Sequence, residues 1–398
     1  MSSRRRIFLG AFGQPGHAFP MLALGARLVQ RGHEVTYETW ERWRPHVVAA
    51  GMEFVAAPEY PVFPTQERPL KPYEAVVRAT VPTREAIAAR RPDLVVHDIL
   101  TLAPALGAEL EGIPTATLIP HLYPVTAPGF PPYSIGARLP GTRAGQAFWS
   151  IFERPLEQGL RQGRDELNET RRRLGLGPTE RLHGGLSAIL CLVASFPQLE
   201  YPRDWPAAVH VVGPMLWEPS GAEPVATPPG DQPLVVVAPS TSHDPRQRLV
   251  RAALEGLAGL DVRVLASLDR RPVHRPVRAG PRARLVNWMS YADAMNDAAL
   301  VICHAGHGTV VRALERGVPV LAVAHSGDMA ENAARLDWAG LGVRLPWRFV
   351  SAATMRLAAE HALRNHAGLS ARTRELADWA AANDGPTRAA ELIENLAR

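Results

Sequence analysis

The fold is indicated most clearly by residues 298–316, AALVICHAGHGTVVRALER. The apolar run Ala298–Cys303 has the length and composition of a buried strand. The segment Val310–Arg316 has the apolar spacing of a helix, and the glycine-containing turn His304–Thr309 joins the two. Such a turn presents unpaired backbone N–H groups and a hydroxyl at a helix N-terminus, where they favour a phosphate. The stretch therefore predicts an α/β unit and a ligand that carries a diphosphate.

Both halves of the chain alternate β-like runs with helical patterns, which is typical of open, mostly parallel sheets with helices on both faces. Residues 214–232 contain several prolines and glycines without periodicity, and we predict that they form a linker. We expect an α/β domain over residues 1–213, a second over residues 233–380, and a C-terminal helix over residues 381–398 that packs back toward the first. Because ligands bind beyond the carboxyl ends of parallel strands, both domains should face one cleft. The predicted strands are Arg6–Phe12, Glu34–Thr39, Glu53–Ala57, Asp93–Asp98, Pro114–Ile119 and Ala188–Ala194 in the first half, and Leu234–Ala238, Asp261–Ala266, Ala283–Asn287, Leu300–Cys303 and Val318–Val323 in the second.

The composition is that of an ordinary globular protein, with 46% hydrophobic and 21% charged residues among 398 and a formal net charge of +5. The arginines that carry this charge are dispersed, so we expect no nucleic-acid groove. Cys191 and Cys303 lie within apolar runs, which favours buried thiols in a reducing compartment over a disulfide or a metal site. Since no run approaches about 20 apolar residues, we expect no membrane span and a cytoplasmic location.

The first strand ends at a turn that carries a histidine. This turn, Gly10–His17, lacks the GxGxxG spacing, so a dinucleotide site is not favoured. Its glycines still allow a ligand to approach the strand end, with His17 beside it. The dipole of the following helix would oppose protonation of His17, which predicts a neutral base near pH 7. A capping or packing role is the alternative.

An aspartate closes the apolar strand Asp93–Asp98, and a buried carboxylate at that place needs a partner. At the carboxyl end of its strand, Asp98 would point into the same cleft as His17. An Asp–His pair orients the imidazole and stabilises it once it has taken a proton. Asp98 could instead cap the helix that follows Thr101.

Further polar and aromatic positions follow strands of the second half. Ser240 could meet the diphosphate from the opposite side or cap a helix, and Trp288 could stack on a planar base or belong to the core. Asp328, which begins a helix that also carries Asn332, could accept sugar hydroxyls or act as an N-cap. The histidines of residues 304–309 have no carboxylate cluster near them in the sequence, so we expect no metal site there.

Taken in this order, the residues resemble family 1 glycosyltransferases of the GT-B fold, which include bacterial macrolide-type and plant natural-product transferases. The resemblance covers nearly the full length and is strongest over residues 288–335, where W…HAGHGT…GVPV…GD…NAAR follows the family's donor signature without a gap. Gly16-His17…Pro20, followed by RGH at residues 31–33, is similar to its N-terminal signature. The resemblance implies two Rossmann-like, doubly wound domains that face a central cleft. It also implies sugar transfer with inversion, without a metal or another cofactor.

The same resemblance assigns a role to each matching position. It implies that His17 is the general base that deprotonates the acceptor hydroxyl and that Asp98 holds it. It implies that Trp288 stacks on the nucleotide base and that Asp328 holds sugar hydroxyls. The positions that it assigns to the nucleotide-sugar donor are Ser240, Trp288, His304, Gly306, Gly308, Thr309, Asp328 and Asn332.

Three positions depart from the family pattern. Ser290-Tyr291 stand where the family usually has Pro-Gln, Arg312 replaces the glutamate that usually holds the ribose hydroxyls, and Met329 replaces a glutamine beside the sugar-binding aspartate. Without that glutamate the pattern favours a ribonucleotide less, so both UDP and dTDP donors stay open. Loss of the glutamine would suit a deoxysugar or a different pose of the sugar.

The resulting hypothesis is an inverting glycosyltransferase that moves a sugar from a nucleoside diphosphate to a hydroxyl of a small apolar acceptor. The alternatives are a GT-B sugar-nucleotide epimerase, a transferase with a lipid acceptor, and a nucleotide-sugar-binding protein without transferase activity. The sequence does not indicate an oligomeric state. We expect aromatic segments of the first half to line the acceptor pocket, namely Tyr60–Phe63, His121–Tyr123, Phe130–Tyr133 and Phe148–Phe152.

Overall fold

The first half of the chain folds around a seven-stranded parallel sheet of order β3-β2-β1-β4-β5-β6-β7. The computed structural model describes residues 4–58, 72–219, 225–239, 244, 246–270 and 276–396. The strands are β1 (Arg6–Gly10), β2 (Glu34–Thr39), β3 (Glu53–Ala56), β4 (Leu94–Asp98), β5 (Thr115–Ile119), β6 (Cys191–Val193) and β7 (Val209–Val211). The helices are α1 (Pro15–Gln30), α2 (Arg44–Ala49), α3 (Pro72–Arg90), α4 (Leu102–Leu110), α5 (Arg143–Ser150) and α6 (Glu153–Arg173).

The second half forms a six-stranded parallel sheet of order β10-β9-β8-β11-β12-β13. Its strands are β8 (Leu234–Ala238), β9 (Arg263–Ser267), β10 (Ala283–Val286), β11 (Ala298–Cys303), β12 (Val320–Ala322) and β13 (Gly342–Arg344). The helices are α7 (Arg248–Leu257), α8 (Tyr291–Ala294), α9 (His307–Glu315), α10 (Asp328–Ala339), α11 (Ala352–Arg364), α12 (His366–Ala382) and α13 (Gly385–Leu396). We call β1–β7 with α1–α6 the N-lobe, and β8–β13 with α7–α12 the C-lobe.

Each sheet reverses its strand order at one place, and that place positions the site. In the N-lobe the reversal lies between β1 and β4, and in the C-lobe it lies between β8 and β11. The central strands are apolar and buried because helices cover both faces of a parallel sheet. The connections that leave these strands diverge at the reversal, which opens a crevice at the carboxyl ends. The predicted α/β architecture is therefore confirmed.

Several local predictions were wrong. The apolar spacing predicts a helix over residues 19–31, but α1 begins at Pro15, since a proline suits the first helical position. The spacing also predicts one helix over about residues 145–174, but that helix is interrupted after Ser150 and restarts at Glu153. The sequence did not predict the three-residue strands β7 and β13 or the helix α12. Within the described residues, no helix is long and apolar enough to cross a membrane.

A buried charge network joins the two lobes. Arg335 of α10 is 2% exposed, and its guanidinium lies 3.1 Å from Glu200 of the N-lobe and 2.8 Å from Glu331 on its own helix. The same guanidinium stacks over the ring of Tyr201, 3.6 Å from its centroid. The remaining carboxylate oxygens accept backbone N–H groups, at Tyr123 for Glu200 and at Ser134 for Glu331. All three buried charges are thus paired, as burial requires.

The last helix returns to the N-lobe. Ala389, Ala390 and Ile393 of α13 belong to the same core cluster as α1 and the N-lobe sheet. Glu394 receives two hydrogen bonds from Arg31, at 2.7 and 2.9 Å. These bonds lower the pKa of Glu394 to about 2. Helix α13 therefore stabilises the position of α1, the helix that carries His17.

Removing the cation of the buried network should be costly. Arg335→Met leaves Glu200 and Glu331 buried without a counter-charge, and we expect the free energy of unfolding to fall by about 3–5 kcal/mol. The loss should be smaller at pH 5 than at pH 8, because a protonated carboxyl needs no counter-charge. The matched control is Arg138→Met, which removes the exposed pair with Asp337 and should cost less than about 1 kcal/mol. Urea unfolding measures both, and equal losses would contradict a special role for the buried network.

Candidate active site

A cleft of about 870 Å³ lies between the lobes at the carboxyl ends of both sheets. His17 enters it from the first turn of α1, and Asp328 enters it from the first turn of α10. The structure thus brings most of the predicted site residues together in one cavity. The predicted residues that line it are His17, Trp288, His304, Gly306, Gly308, Thr309 and Asp328.

On the N-lobe side, a histidine and a buried aspartate form a close pair. Strands β1 and β4 are neighbours, so the start of α1 after β1 lies beside Asp98 at the end of β4. Nδ1 of His17 is 2.8 Å from both carboxylate oxygens of Asp98, which is 1% exposed. Because a carboxylate only accepts, Nδ1 carries the proton, and Nε2 keeps its lone pair. This geometry fits a base that is oriented from behind.

The pKa of His17 is shifted by burial and by two carboxylates. Burial lowers its pKa, but the charge and hydrogen bond of Asp98 and the charge of Asp328 raise it, so the net pKa lies above the usual 6.5. The direction of this shift is opposite to the one that we expected from the helix dipole, because the two carboxylates outweigh burial.

Opposite His17, the turn after β11 is shaped by one close contact. Ala305 has a left-handed backbone (φ 64°), and Gly306 then returns to an extended conformation before α9 begins at His307. A Cβ on Gly306 would lie 2.4 Å from Nε2 of His304, so glycine lets the imidazole ring lie in this position. Within the described part of the chain no side chain caps α9. Its first N–H groups are thus available to an anion.

Asn332, one of the predicted donor-binding residues, does not line the cleft. It is 2% exposed, and its amide donates to the carbonyl of Ala305 at 3.0 Å. Its Oδ1 lies 3.1 Å from Nδ1 of His307, whose Nε2 lies 3.0 Å from the carbonyl of Ala194 in the N-lobe. Asn332 and His307 therefore support the turn from behind and connect it to the other lobe.

Trp288 is half-buried and faces the cleft, so the core alternative does not hold for it. The guanidinium of Arg270 lies 4.8 Å from the centroid of one of its rings. Both Asp269 (φ 53°) and Arg270 (φ 58°) have left-handed backbones, which are rare for such residues and recur at ligand sites. An aromatic ring with an arginine beside it can hold a planar base.

The sequence did not single out Glu218, which the structure places between Trp288 and α9. Its carboxylate accepts a hydrogen bond from the Ser290 hydroxyl at 2.9 Å and from the backbone N–H of Ala292 at 3.2 Å. Arg312 pairs with it at 3.2 Å and also contacts the carbonyl of Trp217. Two of the departures from the family pattern, Ser290 and Arg312, therefore hold the same carboxylate. No sequence signal could have found it, because Glu218 lies in an aperiodic segment.

The third departure, Met329, lies away from the cleft. Met329 is buried in the C-lobe core, so it replaces a polar group without presenting anything to the cleft. Asp328 is exposed in the cleft and follows Gly327, which is itself the N-cap of α10. The simple N-cap alternative for Asp328 therefore does not hold.

The predicted acceptor-pocket segments have mixed outcomes. His121 lines the cleft, whereas Phe148 and Phe152 are exposed and stack on each other and on Trp149 outside it. Ser240 and the segment Tyr60–Phe63 lie outside the described residues. Aromatic side chains that the sequence did not assign line the N-lobe side instead, and they are Phe19, Trp43, His46 and Trp217.

Comparison with known proteins places the chain in a family. Residues 251–396 match the family model described as erythromycin biosynthesis protein CIII-like, C-terminal domain. O-mycaminosyltylonolide 6-deoxyallosyltransferase of Streptomyces fradiae is 30% identical over 98% of this chain and 97% of its own length. The chain belongs to the family 1 glycosyltransferases of the GT-B fold. It is thus a natural-product glycosyltransferase of the GT-B type.

Solved structures agree on the fold of this glycosyltransferase. The glycotransferase of kitacinnamycin superposes with a TM-score of 0.76 at 21% identity, covering 99% of both chains. VinC in complex with DTDP superposes with a TM-score of 0.70 at 18% identity, covering 98% of this chain and 99% of its own. Both comparisons support the two-lobed architecture.

A double-mutant cycle tests the link between Glu218 and Arg312. Both side chains are largely buried, so we expect Glu218→Gln and Arg312→Gln to be coupled by about 1 kcal/mol in the free energy of unfolding. The exposed pair of Arg356 and Glu360 on α11 is the control and should show about 0.3 kcal/mol. Urea denaturation of the single and double variants measures both couplings. A coupling for the first pair no larger than that of the control would contradict the proposed link.

Proposed function

We propose that the enzyme transfers a sugar from a nucleoside diphosphate to a hydroxyl of a small apolar acceptor, with inversion and without a metal. One observation carries this proposal. A carboxylate-held imidazole, His17, faces the uncapped start of α9 and the carboxylate of Asp328 across a single cleft. In this arrangement His17 would serve as the base, the start of α9 as the anion site and Asp328 as the acceptor for sugar hydroxyls, all around one bound nucleotide-sugar.

The reaction follows from these positions. Nε2 of His17 takes the proton of the acceptor hydroxyl while its oxygen forms a bond to the anomeric carbon. The bond from that carbon to the diphosphate oxygen breaks, and the electron pair leaves with the diphosphate. Attack from the face opposite the leaving group inverts the anomeric configuration. Asp98 stabilises the imidazolium that forms.

The leaving diphosphate gains negative charge in the transition state. The N-terminus of α9 and the side chain of His304 line the cleft and would stabilise this charge by hydrogen bonds and by the helix dipole. These groups would supply the charge stabilisation that a divalent cation supplies in other transferases. The proposal therefore needs no metal at the diphosphate.

The acceptor side of the cleft is aromatic. Phe19 packs edge-to-face on Trp43 and Trp217 with ring centroids 5.0 and 4.8 Å apart, next to His17. Flat apolar walls with few polar groups suit a rigid, apolar aglycone. A relative named for the transfer of a 6-deoxyallosyl group to O-mycaminosyltylonolide supports an acceptor of this kind.

The proposed activity is tested with a panel of hydroxylated macrolides and polyketides, each offered with UDP-glucose and with dTDP-sugars. Mass spectrometry detects the product, and the NMR coupling constant of its anomeric proton reports inversion. His17→Ala should lower kcat by about 10²–10⁴-fold while the affinity for the nucleotide stays unchanged. Turnover by His17→Ala equal to that of the parent would refute the role of His17, and a retained anomeric configuration would refute direct displacement.

The pH dependence reports the carboxylate behind the base. Because only unprotonated His17 can accept the proton, kcat/KM should fall as the pH drops through a pKa above 6.5. Asp98→Asn removes the charge that raises this pKa, so the acid limb should move to lower pH while the maximal rate falls. The kcat/KM profile from pH 5 to pH 9 measures both. An acid limb that stays in place in Asp98→Asn would contradict the coupling.

The nucleoside preference is tested at Arg312. We propose a deoxythymidine diphosphate donor, because α9 carries a cation where the family usually has a carboxylate, and VinC was solved with DTDP. The charge swap Glu218→Arg/Arg312→Glu keeps the ion pair and restores a carboxylate on α9. Calorimetric titration should show tighter binding of dTDP than UDP by the parent, and a several-fold shift toward UDP in the double variant. An unchanged ratio would remove Arg312 from nucleoside selection.

A further inference from the structure

A second imidazole reaches the cleft beside the catalytic pair, and the proposed reaction does not use it. His121 follows β5, the strand next to β4, so it leaves the sheet beside Asp98. It lines the same cavity as His17 and Asp328. The neighbouring strands β1, β4 and β5 of the N-lobe sheet are thus followed by His17, ended by Asp98 and followed by His121, respectively. All three residues lie on one side of the cleft.

The tautomer of His121 is fixed by a backbone contact. Its Nδ1 lies 2.7 Å from the carbonyl oxygen of Leu122, and a carbonyl only accepts. Nδ1 must therefore carry the proton, because two lone pairs at that distance would repel each other. The hydroxyl of Tyr133 lies 3.3 Å from the same nitrogen and restricts rotation of the ring from a second side. Nε2 is left as an acceptor, and it makes no hydrogen bond to any described residue.

The surroundings of His121 favour the neutral form of its imidazole. Burial is the main reason that the pKa of His121 is lowered to about 4, although the hydrogen bond to the Leu122 carbonyl opposes it. The imidazoles of His17 and His307 lower the pKa further, and the charge of Asp328 raises it. His17 and His121 therefore behave differently in the same cleft. A carboxylate supports positive charge on the first, whereas only a neutral carbonyl stands behind the second.

We propose that Nε2 of His121 accepts a hydrogen bond from a substrate hydroxyl next to the reacting pair, and so selects and aligns that substrate. The inference rests on the proposed transfer reaction. The hydroxyl belongs either to the transferred sugar or to the acceptor, since His121 lies on the same wall as His17 and shares the cavity with Asp328. It is a specificity residue rather than a second base, because it has no carboxylate to stabilise a proton that it takes up.

Two variants separate hydrogen bonding from shape. His121→Phe keeps a flat ring without nitrogen, and His121→Gln places an amide oxygen near the position of Nε2. We expect His121→Phe to lower kcat/KM by about tenfold, the effect of one lost hydrogen bond, and His121→Gln to recover most of it. The melting temperature of both variants and their affinity for the nucleoside diphosphate alone should equal those of the parent. The acid limb assigned to His17 should remain in His121→Phe.

Two measurements identify the source of the hydroxyl. If it belongs to the sugar, His121→Phe weakens binding of the intact nucleotide-sugar but not of the nucleoside diphosphate. If it belongs to the acceptor, the KM of the acceptor rises while donor affinity is unchanged. Rates of both variants within twofold of the parent, or equal losses in both, would overturn the inference.

The same data separate this inference from the proposed function. A silent His121→Phe together with an inactive His17→Ala would refute only the role of His121. An active His17→Ala together with a His121→Phe that has lost turnover and its acid limb would refute the assignment of His17 as the base, and with it the proposal for His121.

Discussion

The burial of Arg335 is the constraint on which the cleft depends. A guanidinium that is almost fully buried is tolerated only while Glu200 and Glu331 remain paired with it, so α10 cannot shift without leaving charges unpaired. The same helix carries Asp328 into the cleft and uses Asn332 to hold the turn after β11. With a spacing of three or four residues, one face of α10 thus combines the lobe contact, the support of the turn and a cleft carboxylate.

Two sets of groups with opposite effects set the electrostatic potential in the cleft: helix N-termini and carboxylates. The N-termini of α1, α9 and α10 all reach it, and their dipoles favour an anion there. Around His17 the balance is reversed, because Asp98 and Asp328 raise its pKa above the usual value. The cleft can therefore favour a diphosphate at one end and a positively charged imidazole at the other. In the proposed reaction, the imidazolium and the leaving diphosphate would thus each be stabilised where they form.

The sequence predicted those parts of the site that depend on strand ends. Strand–turn–helix patterns are local, so the order of elements, the turn at residues 304–309 and the neighbourhood of His17 and Asp98 followed from them. Contacts between distant segments were not accessible. The role of Asn332 depends on where Ala305 turns, and that of Glu218 depends on a segment without periodicity. The direction of the His17 pKa shift also required distances, because the effect of Asp328 depends on where α10 places that carboxylate.

Two of the departures from the family pattern can be understood as one change. Ser290 and Arg312 are far apart in the chain, yet both hold the carboxylate of Glu218. Without Glu218, Arg312 would keep only its 4.0 Å ion pair with Glu315, and without Arg312, Glu218 would be held only by neutral donors. Removal of either charge alone is therefore expected to lower the free energy of unfolding. Glu218 lies in the segment between the lobes, where the neighbouring Trp217 packs on Phe19 of the N-lobe. In this chain the segment that connects the lobes thus contributes Trp217 and Glu218 to the wall of the cleft.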